Sequence, residues 1–233
     1  MESKTTLTPK FIAQLDAFGI KPSNVFRNLS PEKLVEAAVQ RNEGVITSTG
    51  SLSVKTGKYT GRSPDDRYIV DDDETHDNVD WGKVNHPFPI DRFDKILTKM
   101  KKFVEGKELF VFDGFVGADK DHRLAIRVIN DHAWQSLFAR QLFVRPSAAE
   151  LDGHEPDFTI LCINGFEAIP EVDGTGTNVF ILIDLTKRLV LIGGTSYAGE
   201  MKKSMFGVMN YLLPKKGVFP MHCSANIGKN GDT

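Results

Sequence analysis

Five short apolar segments between residues 108 and 194 place the strongest constraint on the fold of the chain. They are rich in β-branched and aromatic residues, and turn residues separate them: ELFVFDGFVG, RLAIRVI, DFTILCING, NVFILIDL and RLVLIGG. Segments of this kind predict buried strands. Helical patterns interrupt the series around Ala133–Leu142 and again after Gly199. We therefore predict the mixed α/β class, in which a twisted mixed β-sheet is flanked by helices, rather than an all-β barrel.

The first half of the chain predicts three helices. Thr8 and Ser30 are each followed by proline, and a capping residue followed by proline at the first helical position is a common helix start. The first of these helices ends at Gly19. A third pattern of helical period begins at about Asp91 and ends at Gly106. Linker composition indicates no second domain within the chain.

The charge balance argues against a general attraction to polyanions. Lys and Arg number 29 and Asp and Glu number 31, which leaves a formal charge of -2, so we expect no nucleic-acid partner. No apolar run approaches the roughly 20 residues that span a bilayer, and MESKTTLTPK lacks the apolar stretch of a signal peptide. We therefore expect a cytoplasmic protein without a membrane partner, with Cys162 and Cys223 as reduced thiols in the core.

The stretch KTGKYTGRSP could present a cation to a ligand. Gly57 and Gly61 allow the backbone to turn tightly and to approach a bound group, and Arg62 offers the rigid fork that matches a carboxylate or a phosphate. A cluster of Gly, Thr, Ser and Pro is also what an ordinary turn contains. The residues alone leave both interpretations open.

A second candidate lies at the start of the helix predicted after Gly199. On a helical wheel Lys202 falls inside the apolar arc formed by the methionines, and Lys203 lies just past its edge. Two adjacent ammonium groups near a helix N-terminus repel each other and the helix dipole. Either their stems lie along apolar surface with the charges in water, or the pair faces a polyanion or a metal.

A third candidate is His222, in GVFPMHCSANIGKNGDT. If this segment is a strand, alternation places His222, Ser224 and Asn226 on one polar face and Cys223 on the apolar face. A histidine of this kind is often only hydrogen-bonded structure. The other five histidines show no spacing typical of zinc, and no Gly-Lys pair is followed by Ser or Thr, so the chain contains neither a closed zinc motif nor a P-loop.

Five motifs in this order, TGKYTGRSP, WGKVNHP, LFVRPS, YAGEMKKSMF and MHCSANIG followed by GDT, resemble the ATP-dependent phosphoenolpyruvate carboxykinase family. The resemblance is to the N-terminal part of that enzyme. In the family, the GDT-like end is followed almost at once by the Gly-rich kinase loop. The resemblance therefore implies that residues 1–233 form the N-terminal substrate-binding domain, and that the nucleotide-binding C-terminal domain is absent from this chain.

The resemblance also implies a reaction and a set of site residues. The family decarboxylates and phosphorylates oxaloacetate with ATP, giving phosphoenolpyruvate, CO2 and ADP in gluconeogenesis, with Mn2+ at the protein site and Mg2+ on the nucleotide. Arg62 matches the arginine that binds the substrate carboxylate, and Tyr197 matches a tyrosine that contacts the substrate. Lys203 and His222 match two Mn2+ ligands that also approach the transferred phosphate, and Lys202 matches the lysine that stabilises phosphate and enolate charge.

A lysine that binds a metal must be neutral. From a reference pKa of about 10.4, neutrality at pH 7 requires the pKa of Lys203 to fall by more than ~3. Arg67 stands where a lysine is common after the TGRSP motif, which is a small departure from the family. Because the nucleotide cradle lies outside the chain, we expect the isolated chain to be inactive. The alternatives are a stand-alone module that binds small dicarboxylates or other anions, and a purely structural domain.

Overall fold

A computed structural model of the chain describes residues 7–232. Residues 1–6, which belong to the segment inspected for a signal peptide, and Thr233 of the GDT motif lie outside the described residues. The α-helices are α1 (Pro9–Phe18), α2 (Pro31–Gln40), α3 (Ile90–Phe103), α4 (Ala133–Leu142), α5 (Ala148–Asp152), α6 (Pro170–Asp173) and α7 (Gly199–Leu212). The strands are β1 (Asn24–Arg27), β2 (Gly44–Ile46), β3 (Leu52–Val54), β4 (Arg67–Asp71), β5 (His86–Pro89), β6 (Glu108–Val116), β7 (Leu124–Asn130), β8 (Phe158–Ile163), β9 (Phe180–Asp184) and β10 (Leu189–Gly193).

Eight of these strands form one mixed sheet, in the order β1-β6-β7-β8-β10-β9-β4-β5. The pairs β6 with β7 and β10 with β9 are antiparallel, and the other neighbours are parallel. The five apolar segments of the sequence are β6 to β10, and they occupy adjacent places in this sheet. The predicted mixed α/β class is confirmed. Strands β2 and β3 form a separate two-stranded sheet.

The sheet separates two hydrophobic cores. Along β6, Phe110 and Phe112 belong to one core while Leu109 and Val111 belong to the other, as the alternation of side chains along a strand requires. Buried residues of α2, α4 and α7 join the first core, and those of α1 and α3 join the second. Helices therefore cover both faces, and α7 lies on the same face as α2 and α4.

The predicted helix starts are confirmed. Thr8 Oγ1 accepts a hydrogen bond from Phe11 N at 3.2 Å, and Ser30 Oγ accepts one from Lys33 N at 3.4 Å. Gly19 ends α1 with φ +82°, a left-handed conformation that favours glycine. None of the helices within residues 7–232 is long and apolar enough to cross a membrane.

The C-terminal segment, whose alternation would suit a strand, is irregular. Residues 218–228 form no strand, Phe219 and Met221 are 83% and 62% exposed, and Cys223 is exposed rather than a core thiol. A strand needs a neighbour that pairs with its backbone, and Pro220 removes one donor from this one. Cys162, by contrast, is buried in β8 as predicted, and burial raises the pKa of its thiol.

Candidate active site

The N-terminal end of α7 forms the centre of the candidate site. The chain leaves β10 at Gly193 and enters α7 at Gly199, so the helix begins beside the central strands of the sheet. Met201 and Met205 are buried against the core, as the helical wheel predicts. Lys202 and Lys203 are half-buried. The apolar face of α7 thus holds the two lysines at a fixed depth at the border of core and solvent.

Lys203 and His222 are brought together, although 18 residues separate them in the sequence. Lys203 Nζ lies 3.1 Å from His222 Nε2. The ring of Phe206 contacts both side chains, with its centroid 5.2 Å from Lys203 Nζ and 5.1 Å from the centroid of the His222 ring. Two nitrogen atoms that could each bind a metal therefore lie next to each other beside the Phe206 ring.

The surroundings of Lys203 disfavour its protonated form. Desolvation lowers the pKa of Lys203, and the positive charges of Lys202 and Arg62 lower it further. This direction is the one required of a lysine that offers a lone pair at neutral pH. The adjacent lysines predicted from the sequence thus act on each other through their charges.

The geometry of this pair fits a divalent metal. Two nitrogen donors at about 2.1 Å from such an ion and at a right angle to each other lie about 3 Å apart, close to the observed 3.1 Å. Imidazole nitrogen is a ligand that Mn2+ accepts. Among residues 7–232 no cluster of three His, Cys, Asp or Glu side chains could hold a metal, so within this part of the chain the two nitrogens are an incomplete ligand set.

Arg62 lies in an exposed loop that α7 holds by one hydrogen bond. Ser63 N donates to Glu200 Oε1 at 2.7 Å, and Glu200 is only 4% exposed. Burial raises the pKa of the Glu200 carboxyl, against the opposing effect of the Ser63 N–H and of the charges of Arg62 and Arg67. Arg62 is therefore presented by a turn, as the glycine-rich sequence suggests, and the turn is attached to the helix that carries Lys203.

A cleft of about 520 Å³ brings Arg62 and Lys203 together. Arg67, Glu200 and Phe206 also line it. Desolvation lowers the pKa of Arg67 and the Arg62 charge adds to this, whereas Glu200 acts in the opposite direction. Arg67 Nε is buried and has no hydrogen-bond partner within the described part of the chain. The cleft is thus lined by four basic side chains, Arg62, Arg67, Lys83 and Lys203, and by two carboxylates, of which Glu200 is buried and Asp80 is exposed.

The other predicted residues lie near this cleft without lining it. Tyr197 is half-buried just before α7, and a Cβ atom at Gly199 would come within 2.5 Å of its ring. Gly199 therefore allows the ring to lie against the helix start. The lining of the cleft does not include Lys202, Tyr197 or His222. Lys203 therefore shares the cleft with Arg62 and contacts His222 outside the lining of the cleft.

Sequence reasoning missed three members of the site. Glu200, Arg67 and Phe206 were not singled out as functional. The available signal for Glu200 was its place in the first turn of α7, where an acidic residue is favoured by the helix dipole. For Phe206 the signal was its spacing of three residues from Lys203, which places both side chains on neighbouring parts of the helix surface.

Comparison with known proteins identifies the family. The family model described as phosphoenolpyruvate carboxykinase, in its ATP-dependent form, matches residues 23–233. Two phosphoenolpyruvate carboxykinases (ATP) of Moorella thermoacetica are each 58% identical over 214 residues, which is 92% of this chain and 41% of theirs. The phosphoenolpyruvate carboxykinase (ATP) of Geobacillus kaustophilus is 56% identical over 220 residues, which is 94% of this chain and 42% of the relative. The chain therefore spans about two fifths of the length of these relatives, and it belongs to the ATP-dependent phosphoenolpyruvate carboxykinase family.

Proposed function

We propose that this chain supplies the substrate- and metal-binding part of a phosphoenolpyruvate carboxykinase (ATP) active site. The reaction converts oxaloacetate and ATP to phosphoenolpyruvate, CO2 and ADP. The single observation that supports this most is the approach of Lys203 Nζ to His222 Nε2 at 3.1 Å, beside a cleft that also contains Arg62. In this proposal residues 1–233 are the N-terminal substrate-binding domain, and a C-terminal domain binds the nucleotide.

Arg62 and Tyr197 bind the small acid in this proposal. The guanidinium fork of Arg62 can donate two parallel hydrogen bonds to a carboxylate of oxaloacetate or phosphoenolpyruvate. Arg62 is exposed and reaches the cleft, so the substrate can approach it from solvent. The Tyr197 ring, for which Gly199 leaves room, would orient the bound acid.

Lys203 and His222 hold Mn2+ in this proposal, and Mg2+ accompanies ATP. A bound divalent ion would neutralise charge that develops on the substrate and phosphate oxygens. Lys203 contributes a neutral amine, which its depressed pKa favours. In this proposal Lys202 stabilises the negative charge that remains on the substrate after CO2 departs and during phosphoryl transfer.

The Lys203 and His222 pair favours this function over a stand-alone dicarboxylate-binding module. A module that only binds an acid needs a cation such as Arg62, but it gains nothing from a lysine whose pKa is lowered beside an imidazole. We also propose a cytoplasmic location, because ATP and oxaloacetate, the substrates assigned here, are metabolites of the cell interior.

A chimera tests the activity directly. The matching segment of a Moorella thermoacetica relative, 58% identical over 214 residues, is replaced by the corresponding residues of this chain. We expect the chimera to form phosphoenolpyruvate from oxaloacetate and ATP, and Lys203→Ala or His222→Ala to reduce its kcat by at least ~100-fold. Lys95→Ala is the control, because Lys95 forms an exposed pair with Asp91 on α3.

A manganese titration of the isolated chain tests the metal site separately. The electron paramagnetic resonance signal of free Mn2+ reports how much ion is bound. We expect weak binding by the unaltered chain and by Lys95→Ala, and at least tenfold weaker binding after Lys203→Ala or His222→Ala. Equal affinity in all four proteins would contradict the assignment of these two ligands. A folded chimera that forms no phosphoenolpyruvate would contradict the proposed function.

A further inference from the structure

Glu200 connects the two halves of the candidate site. Its carboxylate accepts the Ser63 N–H at 2.7 Å, and Ser63 directly follows Arg62. On its own helix, Glu200 precedes Lys203 by three residues, so the two side chains lie on neighbouring parts of the helix surface. A single buried carboxylate thus lies between the residue that would bind the acid and the residue that would bind the metal.

Keeping a carboxylate at this position has an energetic cost. Glu200 is 4% exposed, and a buried charge is unfavourable unless it is hydrogen-bonded or paired. The Ser63 N–H, the positive end of the α7 dipole and the charges of Arg62 and Arg67 offset part of that cost. The acid is not needed to complete α7, since serine, threonine or aspartate just before the helix would cap it from a more exposed place.

We propose that Glu200 is a positioning residue for Arg62. Its carboxylate fixes the loop that contains Arg62 and Ser63 against the first turn of α7. It thereby sets the position of the Arg62 guanidinium relative to the Lys203 amine. The use of this arrangement to hold a dicarboxylate rests on the proposed function, whereas the attachment of the loop to α7 does not.

The comparison residue is Glu150, which also accepts a backbone N–H of a serine and does not line the cleft. Glu150 Oε2 accepts the Ser147 N–H at 2.8 Å, and Glu150 Oε1 accepts a hydrogen bond from Arg123 Nη2 at 2.7 Å. It belongs to α5, on which the chain carries no candidate site residue. Replacing Glu150 therefore removes a similar backbone hydrogen bond without touching the Arg62 loop.

Amide hydrogen exchange at Ser63 tests the attachment. We expect Glu200→Ala to accelerate exchange at Ser63 by about tenfold or more, as loss of a charge-assisted hydrogen bond implies. Glu200→Gln keeps an oxygen acceptor, so exchange should stay within about threefold of the unaltered chain. Glu150→Ala should accelerate exchange at Ser147 and leave Ser63 unchanged. Amides of β9 report whether each variant is folded.

Oxalate affinity then tests positioning. We expect Glu200→Ala to weaken oxalate binding by about tenfold, with Glu200→Gln restoring most of it. Unchanged exchange at Ser63 in both Glu200 variants overturns the proposal, and so does faster exchange with unchanged oxalate affinity. If the unaltered chain binds no oxalate while Glu200→Ala accelerates exchange at Ser63, the attachment of the loop is supported and the proposed function fails.

Discussion

Two clusters in this molecule each combine one buried carboxylate with two arginines, and they differ in how fully the charges are paired. Asp113 accepts hydrogen bonds from Arg27 Nε, Arg127 Nε and Arg127 Nη2 at 2.8, 2.7 and 2.9 Å. The Phe11 ring lies 4.4 and 4.7 Å from the two guanidinium carbons. Glu200, in contrast, accepts its hydrogen bond from a backbone N–H, and Arg67 Nε has no partner among residues 7–232.

The difference separates a structural cluster from the Glu200 cluster, which we propose binds the substrate and call the binding cluster. Asp113, Arg27 and Arg127 are all at most 3% exposed, so their charges are paired with one another and are almost entirely removed from water. The Glu200 cluster opens on a cleft, and Lys203 adds a further nitrogen to its two arginines. Cations that exceed their carboxylates at an accessible site leave charge for an anion to neutralise. Buried charge alone therefore does not identify a functional site here.

The largest effect is expected from breaking the structural cluster. Asp113→Asn leaves two buried guanidinium groups without their carboxylate, and we expect the free energy of unfolding to fall by about 3 to 5 kcal/mol. Urea denaturation measures this change. Asp91→Asn is the control, since Asp91 forms an exposed pair with Lys95, and loss of an exposed pair should lower the free energy of unfolding far less. Similar values for both variants would contradict the distinction between the clusters.

A substitution in the binding cluster should lower ligand affinity without changing the stability of the fold. Arg62→Lys keeps the positive charge and removes the bidentate fork, so we expect oxalate to bind about tenfold more weakly or worse. The free energy of unfolding should change by less than ~0.5 kcal/mol, because Arg62 is exposed. Calorimetric titration and urea denaturation give the two values. Full affinity in this variant would exclude Arg62 as a carboxylate ligand.

Replacing one glycine beside each cluster with alanine tests how easily the neighbouring atoms can move to admit an added Cβ atom. A Cβ atom at Gly114, next to Asp113, would come within 2.5 Å of the Phe112 ring and 2.7 Å of Val144 O. We expect Gly114→Ala to destabilise the fold by about 1 to 3 kcal/mol. At Gly207 the same atom would come within 2.4 Å of Arg67 Nη2, the end of a flexible side chain. Since alanine favours the helix, Gly207→Ala should change stability by less than ~1 kcal/mol.

If Gly207→Ala lowers the free energy of unfolding as much as Gly114→Ala, Arg67 is held as firmly as the Phe112 ring and the Val144 backbone, and it does not yield as a flexible side chain would. Thermal or urea unfolding of the two variants, beside the unaltered chain, decides this.

The smallest effect is a pH dependence that originates in the structural cluster. Burial lowers the pKa of His154, with Arg27 and Arg127 acting in the same direction and Asp113 opposing them. As the pH falls below about 6.5, the unfolded chain therefore binds a proton before the folded chain does, and stability declines by at most ~1.4 kcal/mol per pH unit. His154→Gln should make the decline between pH 6.5 and 5 shallower.

His76→Gln is the control for this prediction. His76 is exposed, and Asp71 raises the pKa of its imidazole, so its contribution to stability is present at low pH and is lost as the pH rises. In His76→Gln the fall in the free energy of unfolding between pH 6.5 and 5 should therefore be unchanged or slightly steeper. Urea denaturation at several pH values measures both slopes, and a His154→Gln slope equal to that of the unaltered chain would exclude His154 as the origin.

The sequence predicts the sheet well because the strand signal is local. Segments β6 to β10 carry their own apolar runs and turn residues, and Thr8 and Ser30 carry their own capping signals. Alternation was misleading for the segment around His222, which resembles a strand but pairs with no strand among residues 7–232. Alternation describes the faces of a strand and does not supply the partner that stabilises one.

The site was predicted through motif resemblance rather than through periodicity. The closeness of Lys203 to His222 and the hydrogen bond from Ser63 to Glu200 depend on long-range packing of α7 against two loops. No local pattern in the sequence specifies such contacts. Asp113 was missed for the same reason, because a charged residue within an apolar run shows its role only when Arg27 and Arg127 are seen beside it.

Calorimetric titration of oxalate into the isolated chain, with and without Mn2+, tests the central claim most directly. Oxalate presents two carboxylates, as a substrate of the proposed reaction does. We predict that binding is at least ~10-fold tighter with Mn2+ present and that it weakens in Arg62→Lys, as expected if an anion and a metal complete the cation-rich cluster. The same affinity with and without Mn2+, or no binding in either case, would contradict this account of the site.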